Sequence, residues 1–239
     1  PHHLRKDYGI ESCTSVHAEK LCDSLNSGHG VLIAANHCRP CDPMVIARGL
    51  RPHIRREFST MASWHIFHQS RVQSFLLPRM GGFSMFREGM DRESLNHATQ
   101  ILGEAKRPLV VFPEGFITRS NDHLAHLMDG VAFMARLGAK LANKIDAGRK
   151  VVIHPTFLRY FFEGDLEATL RPVLKDIETK LSWQPQTHLS VRQRVAKLGE
   201  ALLSLKEVEH FGSARSGPLA ERVGIMIDSL LSPLEVRWL

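Results

Sequence analysis

The sequence predicts an α/β fold with a mixed, largely parallel central sheet, flanking helices and a helical C-terminal extension. One observation is that short apolar strands alternate with helical patterns between residues 29 and 160, an order that builds parallel sheets. A second is that only helical spacing follows residue 188. We therefore predict two domains, an α/β domain at 1–187 and a helical appendage at 188–239.

The first elements surround one apolar strand. A short helix is predicted near 16–25, and turn-forming residues separate it from a strand at 31–35. After that strand we expect Asp42 at the N-cap of a helix and Pro43 in its first position, because apolar residues recur at helical spacing from Met44. A polar turn therefore joins the strand to the helix.

Residues 51–80 mix arginines with aromatic and aliphatic side chains. Such a segment suits a phospholipid interface, and a core helix with a solvated basic face fits the composition equally well. A glycine pair at 81–82 then precedes an apolar strand, which is followed by Arg87. A lone arginine after a strand is either a surface charge or a clamp for a phosphate or carboxylate.

The middle of the chain supplies further strands and helices. A helix is predicted over 91–106, with Asp91 as its cap, and a buried strand follows at 109–112. A helix over 124–141 and a strand from residue 151 complete the pattern. Because ligands bind beyond the carboxyl ends of parallel strands, polar residues that follow strands are candidates for a site.

The last third of the chain is predicted to be helical. One helix spans 165–180, where Pro172 is expected to break or start an element, and a linker follows at 183–187. Amphipathic spacing predicts further helices over 191–208 and 219–234. The pair of helices from about residue 188 is expected to be an appendage or a partner surface, and it carries no obvious chemistry.

Composition restricts the classes of partner. The net charge of +6 and the pI near 9.4 favour polyanions: nucleic acid, an anionic membrane surface or phosphorylated small molecules. Apolar runs are far shorter than the roughly 20 residues of a spanning helix, so any membrane contact should be peripheral. Four cysteines are too few for a disulfide scaffold, which favours the reducing cytoplasm. The start without methionine and the apolar end are expected of a segment from a longer protein.

The turn within residues 34–43 carries side chains for three kinds of chemistry. His37 and Asp42 suit a base and its partner, because a carboxylate on one ring nitrogen fixes the tautomer and stabilises the imidazolium. Cys38 and Cys41 form a C-x-x-C pair that suits thiol exchange or half of a metal site. The third interpretation is a plain connection between a strand and a helix.

Four short motifs together resemble those of the glycerolipid acyltransferases, which include the 1-acylglycerol-3-phosphate acyltransferases. They are the HxxxxD motif Asn36-His37-x4-Asp42, the glycine-strand-arginine block ending at Arg87, Phe112-Pro113-Glu114-Gly115, and the strand ending at Pro155. The resemblance covers about residues 29–160. One such motif would be weak evidence, whereas four in the same order and spacing are specific.

The resemblance implies an O-acyltransferase that moves a fatty acyl group from acyl-CoA or acyl carrier protein to a hydroxyl of a lysophosphatidate-like or glycerol-phosphate acceptor. His37 would be the catalytic base and Asp42 its orienting partner. The implied substrate-binding residues are Arg87, Glu114, Gly115 and Arg119. Arg87 would hold the acceptor phosphate, and Glu114 would position a donor or a hydroxyl, because a carboxylate repels phosphate.

The resemblance also implies the setting of the reaction, which is phospholipid biosynthesis or remodelling. The acyl thioester is a co-substrate, and no cofactor or metal is implied because a thiolate leaves readily. We expect a cytoplasmic protein that is peripheral on an anionic membrane surface.

Two departures from the usual family pattern concern the acceptor site. Phe116 and Ile117 precede Thr118-Arg119-Ser120, where the family commonly continues directly from glycine to threonine. Phe86 stands just before Arg87, where the family often has a polar residue. Both departures bear on the identity of the acceptor more than on the type of reaction.

Alternative functions remain open at this point. A non-catalytic or differently specialised membrane-associated module could keep the same fold, because a fold does not fix a function. A thiol redox protein would use the C-x-x-C pair, and a zinc site would need Cys13 and Cys22 or scattered histidines as well. Nucleic-acid binding is disfavoured, because the aromatic residues are not interleaved with basic residues in a known binding motif.

Overall fold

A computed structural model describes residues 2–86, 89, 91–181 and 184–238 of the chain. It divides the protein into two compact units, residues 1–160 and 161–239. The first unit holds every strand of the described chain, and the second is helical. The predicted boundary at 187/188 between the α/β domain and the helical appendage stays a prediction.

The regular elements are numbered along the chain. The strands are β1 Gly30–Ala35, β2 Ser59–Ser63, β3 Gly82–Met85, β4 Leu109–Val111 and β5 Val151–Thr156. The helices of the first unit are α1 His2–Tyr8, α2 Ala18–Asn26, α3 Asp42–Leu50, α4 Trp64–Phe67, α5 Arg71–Arg79, α6 Arg92–Glu104 and α7 Gly130–Ile145. The helices of the second unit are α8 Leu166–Lys180, α9 Val191–Phe211 and α10 Leu219–Trp238.

The five strands form one sheet in the order β3-β2-β4-β1-β5, and every described pair is parallel. Ile33 of β1 lies opposite Val110 of β4 on one side and His154 of β5 on the other. The parallel α/β sheet with flanking helices and C-terminal helices confirms the predicted fold class. All strands therefore end at the same edge of the sheet, which we call the carboxyl edge.

The central strand β1 is covered on both faces. Val31, Leu32 and Ile33 have no exposed surface. Val31 and Ile33 pack with apolar residues of α2 and α3, whereas Leu32 packs with those of α6 and α7. The sheet is thus the middle of three layers, which explains why β1 is a continuous apolar run rather than an alternating one.

Residues 51–80 form a strand and two short helices instead of one long helix. The strand β2 was not predicted, because its sequence Ser-Thr-Met-Ala-Ser gives only a weak apolar signal. Helix α5 has no buried residue, so the interpretation of this segment as a core helix is wrong.

Two further differences concern a helix start and a proline. Helix α7 begins at Gly130 rather than at residue 124, because the Met128 N–H donates to the Pro113 carbonyl at 2.8 Å and holds the preceding residues as a loop. Helix α8 continues through Pro172, so the prediction that this proline breaks or starts an element is wrong. A proline removes one helical hydrogen bond, and the rest of α8 retains its own.

Buried ion pairs link the helices of the second unit. Arg194 of α9 donates to both carboxylate oxygens of Glu178 of α8, each at 2.8 Å. Arg222 of α10 donates to both oxygens of Glu207 of α9 at 3.0 and 2.7 Å. The four side chains are at most 5% exposed. These pairs fix the register of adjacent helices, because a buried charge that loses its partner is strongly destabilising.

None of the helices in the described ranges is both long enough and apolar enough to cross a membrane.

We predict that Gly30→Ala destabilises the first unit. A Cβ at Gly30 would lie 2.1 Å from the backbone oxygen of Leu102 in α6, so the helix or the strand must shift. The free energy of unfolding should fall by about 1–3 kcal/mol. Gly199→Ala in α9 is the control, since its Cβ would meet nothing within 4 Å and should add up to ~1 kcal/mol through helix propensity. Urea denaturation followed by circular dichroism measures both, and equal stabilities of the two variants would contradict the close packing.

We predict that the second unit loses stability in acid. The hydrogen bonds from Arg194 hold the pKa of Glu178 below its ordinary value. A carboxyl group with a lowered folded-state pKa stabilises the fold above its unfolded pKa, and this stability is lost as the pH falls through the folded value. Glu178→Gln imitates the protonated side chain, so its melting temperature should lie below that of the unmodified protein at pH 7, and the gap should close in acid. A gap that is independent of pH would show that the pair contributes no charge-dependent stability.

Candidate active site

The candidate site lies at the carboxyl edge, where β1 ends in the middle of the sheet. The strand stops at Ala35, and His37 is the second residue beyond it. Neighbouring strands β4 and β5 deliver Glu114 and Tyr160 to the same edge. This is where ligands bind in parallel α/β sheets.

His37 and Asp42 form a close pair. The Nδ1 atom of His37 is 2.8 Å from Oδ2 of Asp42, and the Asp42 side chain has no exposed surface. Asp42 is the first residue of α3, with Cys41 as the N-cap, so the prediction of Asp42 as the N-cap was one residue too late. The carboxylate is used by the histidine and the turn instead of the helix end.

Asp42 accepts two hydrogen bonds besides the one from His37. The Arg39 N–H donates to Oδ2 at 2.9 Å, and the Tyr160 hydroxyl donates to Oδ1 in a short hydrogen bond. Burial, together with the adjacent Asp42 carboxylate, raises the pKa of Tyr160 above its ordinary range, so the phenol stays protonated and remains a donor. Three donors facing one carboxylate suit its ionised, accepting form.

Tyr160 is itself held in place by the chain around it. Its backbone N–H donates to Oδ1 of Asn121 at 2.5 Å, and its carbonyl accepts from Nδ2 of the same residue at 2.8 Å. The Arg39 guanidinium lies 4.6 Å from the centre of the tyrosine ring. In the same way, the side chain of Asn36 makes two hydrogen bonds with the backbone of Leu158. The segment after β5 is thereby tied to the turn after β1.

Two contacts orient the imidazole of His37: the hydrogen bond to Asp42 at its edge and an aromatic ring against its face. It stacks on the ring of Phe112 with a centroid distance of 4.1 Å and an interplanar angle of 21°. Because a carboxylate accepts hydrogen bonds, the Asp42 contact favours the tautomer with its proton on Nδ1 and its lone pair on Nε2. Since 17% of the His37 side chain is exposed, a substrate can reach it.

The buried side chain of Glu114 connects two backbone segments of the site by hydrogen bonds. It is 3% exposed, its Oε2 accepts from the His37 N–H at 2.5 Å, and its Oε1 accepts from the Ala125 N–H at 2.8 Å. Both carboxylate oxygens are thus used by the backbone, a role that sequence analysis did not predict. The predicted contact of Glu114 with a donor or hydroxyl stays a prediction.

Thr118 connects the loop after β4 to the turn that carries His37. Its N–H and its hydroxyl both donate to the carbonyl of His37, at 2.8 and 3.0 Å. The additional residues Phe116 and Ile117 are therefore accommodated as an outward excursion in which their side chains are 59% and 36% exposed. Gly115 precedes this excursion with a φ of 77°, a conformation that suits glycine.

Of the two arginines predicted to bind substrate, the structure describes only Arg119. Arg119 is exposed, directly follows Thr118 and has a φ of 55°. Arg87 lies outside the described residues, so its predicted contact with an acceptor phosphate stays a prediction. The described strand before it, β3, ends at the same edge as β1.

The two cysteines of the turn are buried free thiols. Burial raises the pKa of Cys38 to about 11, with a further contribution from the Asp42 carboxylate. Burial also raises the pKa of Cys41. Reactive cysteines have a lowered pKa, so these thiols lack the activation that disulfide exchange requires. Across the described ranges, no group of three or more histidine, cysteine or acidic side chains is arranged to hold a metal ion.

Sequence reasoning missed the residues that fix the pair. Tyr160, Asn121 and Thr118 lie 118, 79 and 76 positions from Asp42, so no local spacing pattern relates them to it. The only signal was that Tyr160 and Thr118 follow strands, as His37 does. A buried aspartate needs donors, but the sequence does not say which segment supplies them.

Comparison with known families gives one match. The family model described as Acyltransferase matches residues 15–159, which is more than half of the chain and includes His37, Asp42 and Glu114. No curated protein and no solved structure matches the chain.

We predict that Tyr160→Phe destabilises the protein, because Oδ1 of the buried Asp42 loses its donor. The free energy of unfolding should fall by about 1–3 kcal/mol. The control is Tyr8→Phe, which changes the only other tyrosine of the sequence. The Tyr8 hydroxyl makes no hydrogen bond within the described residues, so its loss should change the free energy of unfolding by less than ~0.5 kcal/mol. Chemical denaturation of the two variants tests this difference, and equal losses would mean that the Tyr160 hydroxyl does not support Asp42.

Proposed function

Because the chain belongs to the acyltransferase family, we propose that it moves a fatty acyl group from an acyl thioester to the hydroxyl of a phosphorylated glycerolipid acceptor. The donor is acyl-CoA or acyl carrier protein, and the acceptor is a lysophosphatidate-like lipid or glycerol phosphate. The observation that carries the proposal is the 2.8 Å pair of His37 and Asp42 at the carboxyl edge.

The reaction follows from the orientation of His37. Its Nε2 takes the proton of the acceptor hydroxyl while the hydroxyl oxygen attacks the carbonyl carbon of the thioester. The carbon–sulfur bond then breaks, and the imidazolium returns the proton to the departing thiolate. Asp42 keeps the imidazole in the required tautomer and stabilises its charged form. An ester and a free thiol are the products, and no covalent enzyme intermediate is needed.

Several contacts support the pre-organisation that this step requires. Asp42 cannot turn away from His37, because its two oxygens are engaged by Arg39 and Tyr160 as well. Phe112 fixes the plane of the imidazole. Glu114 fixes the backbone of the catalytic turn. Pre-positioned groups of this kind avoid the reorganisation that would otherwise raise the barrier.

The acceptor is proposed to bind through arginine. Arg87 and Arg119 are the proposed ligands of its phosphate, since a guanidinium binds phosphate oxygens in a fork. The bond from Thr118 to the His37 carbonyl supports a role for Arg119, because it brings the backbone of the adjacent residue close to the catalytic turn. Gly115, between Glu114 and the outward excursion, is proposed to leave room for the acceptor.

The proposal extends to the setting of the reaction. We place the protein at the cytoplasmic side of a membrane as a peripheral enzyme of phospholipid biosynthesis or remodelling. A thiolate is a good leaving group, so the proposed reaction has no requirement for a metal or an organic cofactor. The close His37–Asp42 pair favours catalysis over a non-catalytic module, and the raised pKa of Cys38 disfavours thiol exchange.

We predict that His37→Ala reduces acyl transfer by about 10²–10⁴-fold, the usual contribution of a general base. Purified protein is given acyl-CoA or acyl carrier protein with a panel of lysophospholipids and glycerol phosphate, and free thiol and the lipid product are measured. Acyl transfer by the Asp42→Asn variant should also fall strongly, because the imidazole loses the partner that sets its tautomer.

The matched control for these variants is the double substitution Cys38→Ser with Cys41→Ser. It changes two buried side chains of the same turn but leaves the proposed base intact, so acyl transfer should persist. Transfer by the His37→Ala protein at the unmodified rate would reject the proposed mechanism. Loss of all acyl transfer in a folded double serine variant would indicate that the Cys38 or Cys41 thiol is needed for the activity.

A further inference from the structure

We propose that α4, α5, Phe86 directly after β3 and the outward excursion after β4 form a face that docks on an anionic lipid bilayer. We call it the docking face; its apolar members are Trp64, Val72, Phe75, Leu76, Phe86, Phe116 and Ile117. The inference rests on the proposed function in one respect: a membrane lipid as acceptor requires the site to reach a bilayer. Its remaining support comes from exposure, placement and charge.

Helix α5 turns its apolar stripe toward solvent. Val72, Phe75 and Leu76 are 65%, 56% and 43% exposed, and their spacing places them on one side of the helix. The residues that are partly buried are Gln73 and Leu77, which also share a side. In an ordinary surface helix this arrangement is reversed, with the apolar stripe against the core. An apolar stripe that the protein itself leaves uncovered indicates a binding surface.

The apolar stripe continues to the carboxyl edge. Trp64 directly follows β2, and Phe86 directly follows β3. Their rings are 6.1 Å apart, and they are 37% and 47% exposed. Phe116, in the outward excursion after β4, is 59% exposed. Because parallel strands end at one edge, these side chains lie along the edge that carries His37, on the side of β1 where β4, β2 and β3 lie.

The charge of this region matches an anionic partner. The sequence contains no aspartate or glutamate between residues 58 and 86, whereas it contains Arg71 and Arg79. The two arginines line the same shallow depression as Ser70 and Ser74, beside Phe75. The guanidinium of Arg79 lies 3.5 Å from the centre of the Phe75 ring, so cation and apolar ring are presented together. Basic and aromatic side chains on one helix suit the interface between headgroups and acyl chains.

A bilayer explains the combination better than a protein partner does. The apolar side chains come from two helices and two non-helical segments of the chain. A bilayer can accept such side chains individually and needs no complementary shape, while its anionic headgroups pair with the arginines. The acidic surface of an acyl carrier protein is the competing occupant, and the experiment distinguishes the two.

The first test is sedimentation of the protein with vesicles that contain phosphatidylglycerol and phosphatidylcholine, without thioester or acceptor. Arg71→Gln with Arg79→Gln should weaken binding about thirtyfold, since each arginine near an anionic surface contributes about fivefold. Lys140→Gln with Lys144→Gln is the matched control, with the same change of charge on the part of α7 that returns toward the opposite edge. This control should bind within about twofold of the unmodified protein, because charge far from the membrane is largely screened.

The second test removes apolar surface. Leu76→Ser should weaken binding by roughly threefold to tenfold, since a partly exposed leucine contributes only part of its full transfer free energy. Ile145→Ser is the control, because Ile145 is 51% exposed at the end of α7 and is not a member of the docking face. In a protein with Trp64 as its only tryptophan, brominated lipids should quench the fluorescence on binding. These substitutions affect exposed residues, so the variants are expected to fold.

Three results would overturn the docking face: equal losses in the variants and their controls, no quenching of Trp64, or vesicle binding that is unchanged while the activity with acyl carrier protein falls. The last result would assign the face to the carrier protein. Vesicle binding needs no catalysis, and acyl transfer can be assayed with soluble glycerol phosphate. Failure of the docking face would therefore leave His37-dependent transfer intact, and failure of the proposed reaction would leave vesicle binding intact.

Discussion

The structure of the site depends on the burial of one carboxylate. Asp42 has no exposed surface, and a buried charge is tolerated only where donors satisfy it. Its donors come from three places: the His37 imidazole, the Arg39 backbone and the Tyr160 hydroxyl. The turn after β1 and the segment after β5 must therefore meet for the carboxylate to be stable. Satisfying Asp42 and orienting His37 are the same structural requirement.

The order of strands makes this meeting possible. β1 lies between β4 and β5, so the loops after three adjacent strands share one edge. Glu114 and Thr118 connect the β4 loop to His37, and Asn36 connects the β1 turn to Leu158. Most of these bonds involve the backbone, which gives a rigid site even though it is built from loops. Rigid positioning of a base is what an acyl-transfer step would use.

The surface around this rigid site has a different character. Apolar side chains of α4 and α5 and of the segments near the carboxyl edge are left exposed, whereas the central strand β1 is covered on both faces. Such exposure weakens solubility and is retained where a surface has a partner. A bilayer partner would bring the acceptor lipid and the long acyl chain to the edge where His37 lies. The buried network and the exposed face would then serve one reaction.

The sequence by itself determined the features that depend on neighbours along the chain. Three such features are local: the strand before His37, the five-residue step from His37 to Asp42, and the capping of α6 by Asp91. The spacing of apolar residues, together with the polar residues that interrupt it, predicts them. The parallel sheet followed from the order of strands and helices. The weakly apolar β2 and the late start of α7 were missed, because pairing within the sheet and a hydrogen bond to Pro113 override local preference.

Only the tertiary structure decided what surrounds the pair of His37 and Asp42 and which side chains remain exposed. Tyr160, Asn121 and Thr118 reach the turn from distant segments, and both carboxylate oxygens of Glu114 accept backbone hydrogen bonds that its motif did not predict. The same holds for the stripe of α5, whose spacing fits a core helix as well as an interface. Periodicity identifies an apolar side of a helix. Whether that side is covered depends on the packing of the whole chain, which no local pattern contains.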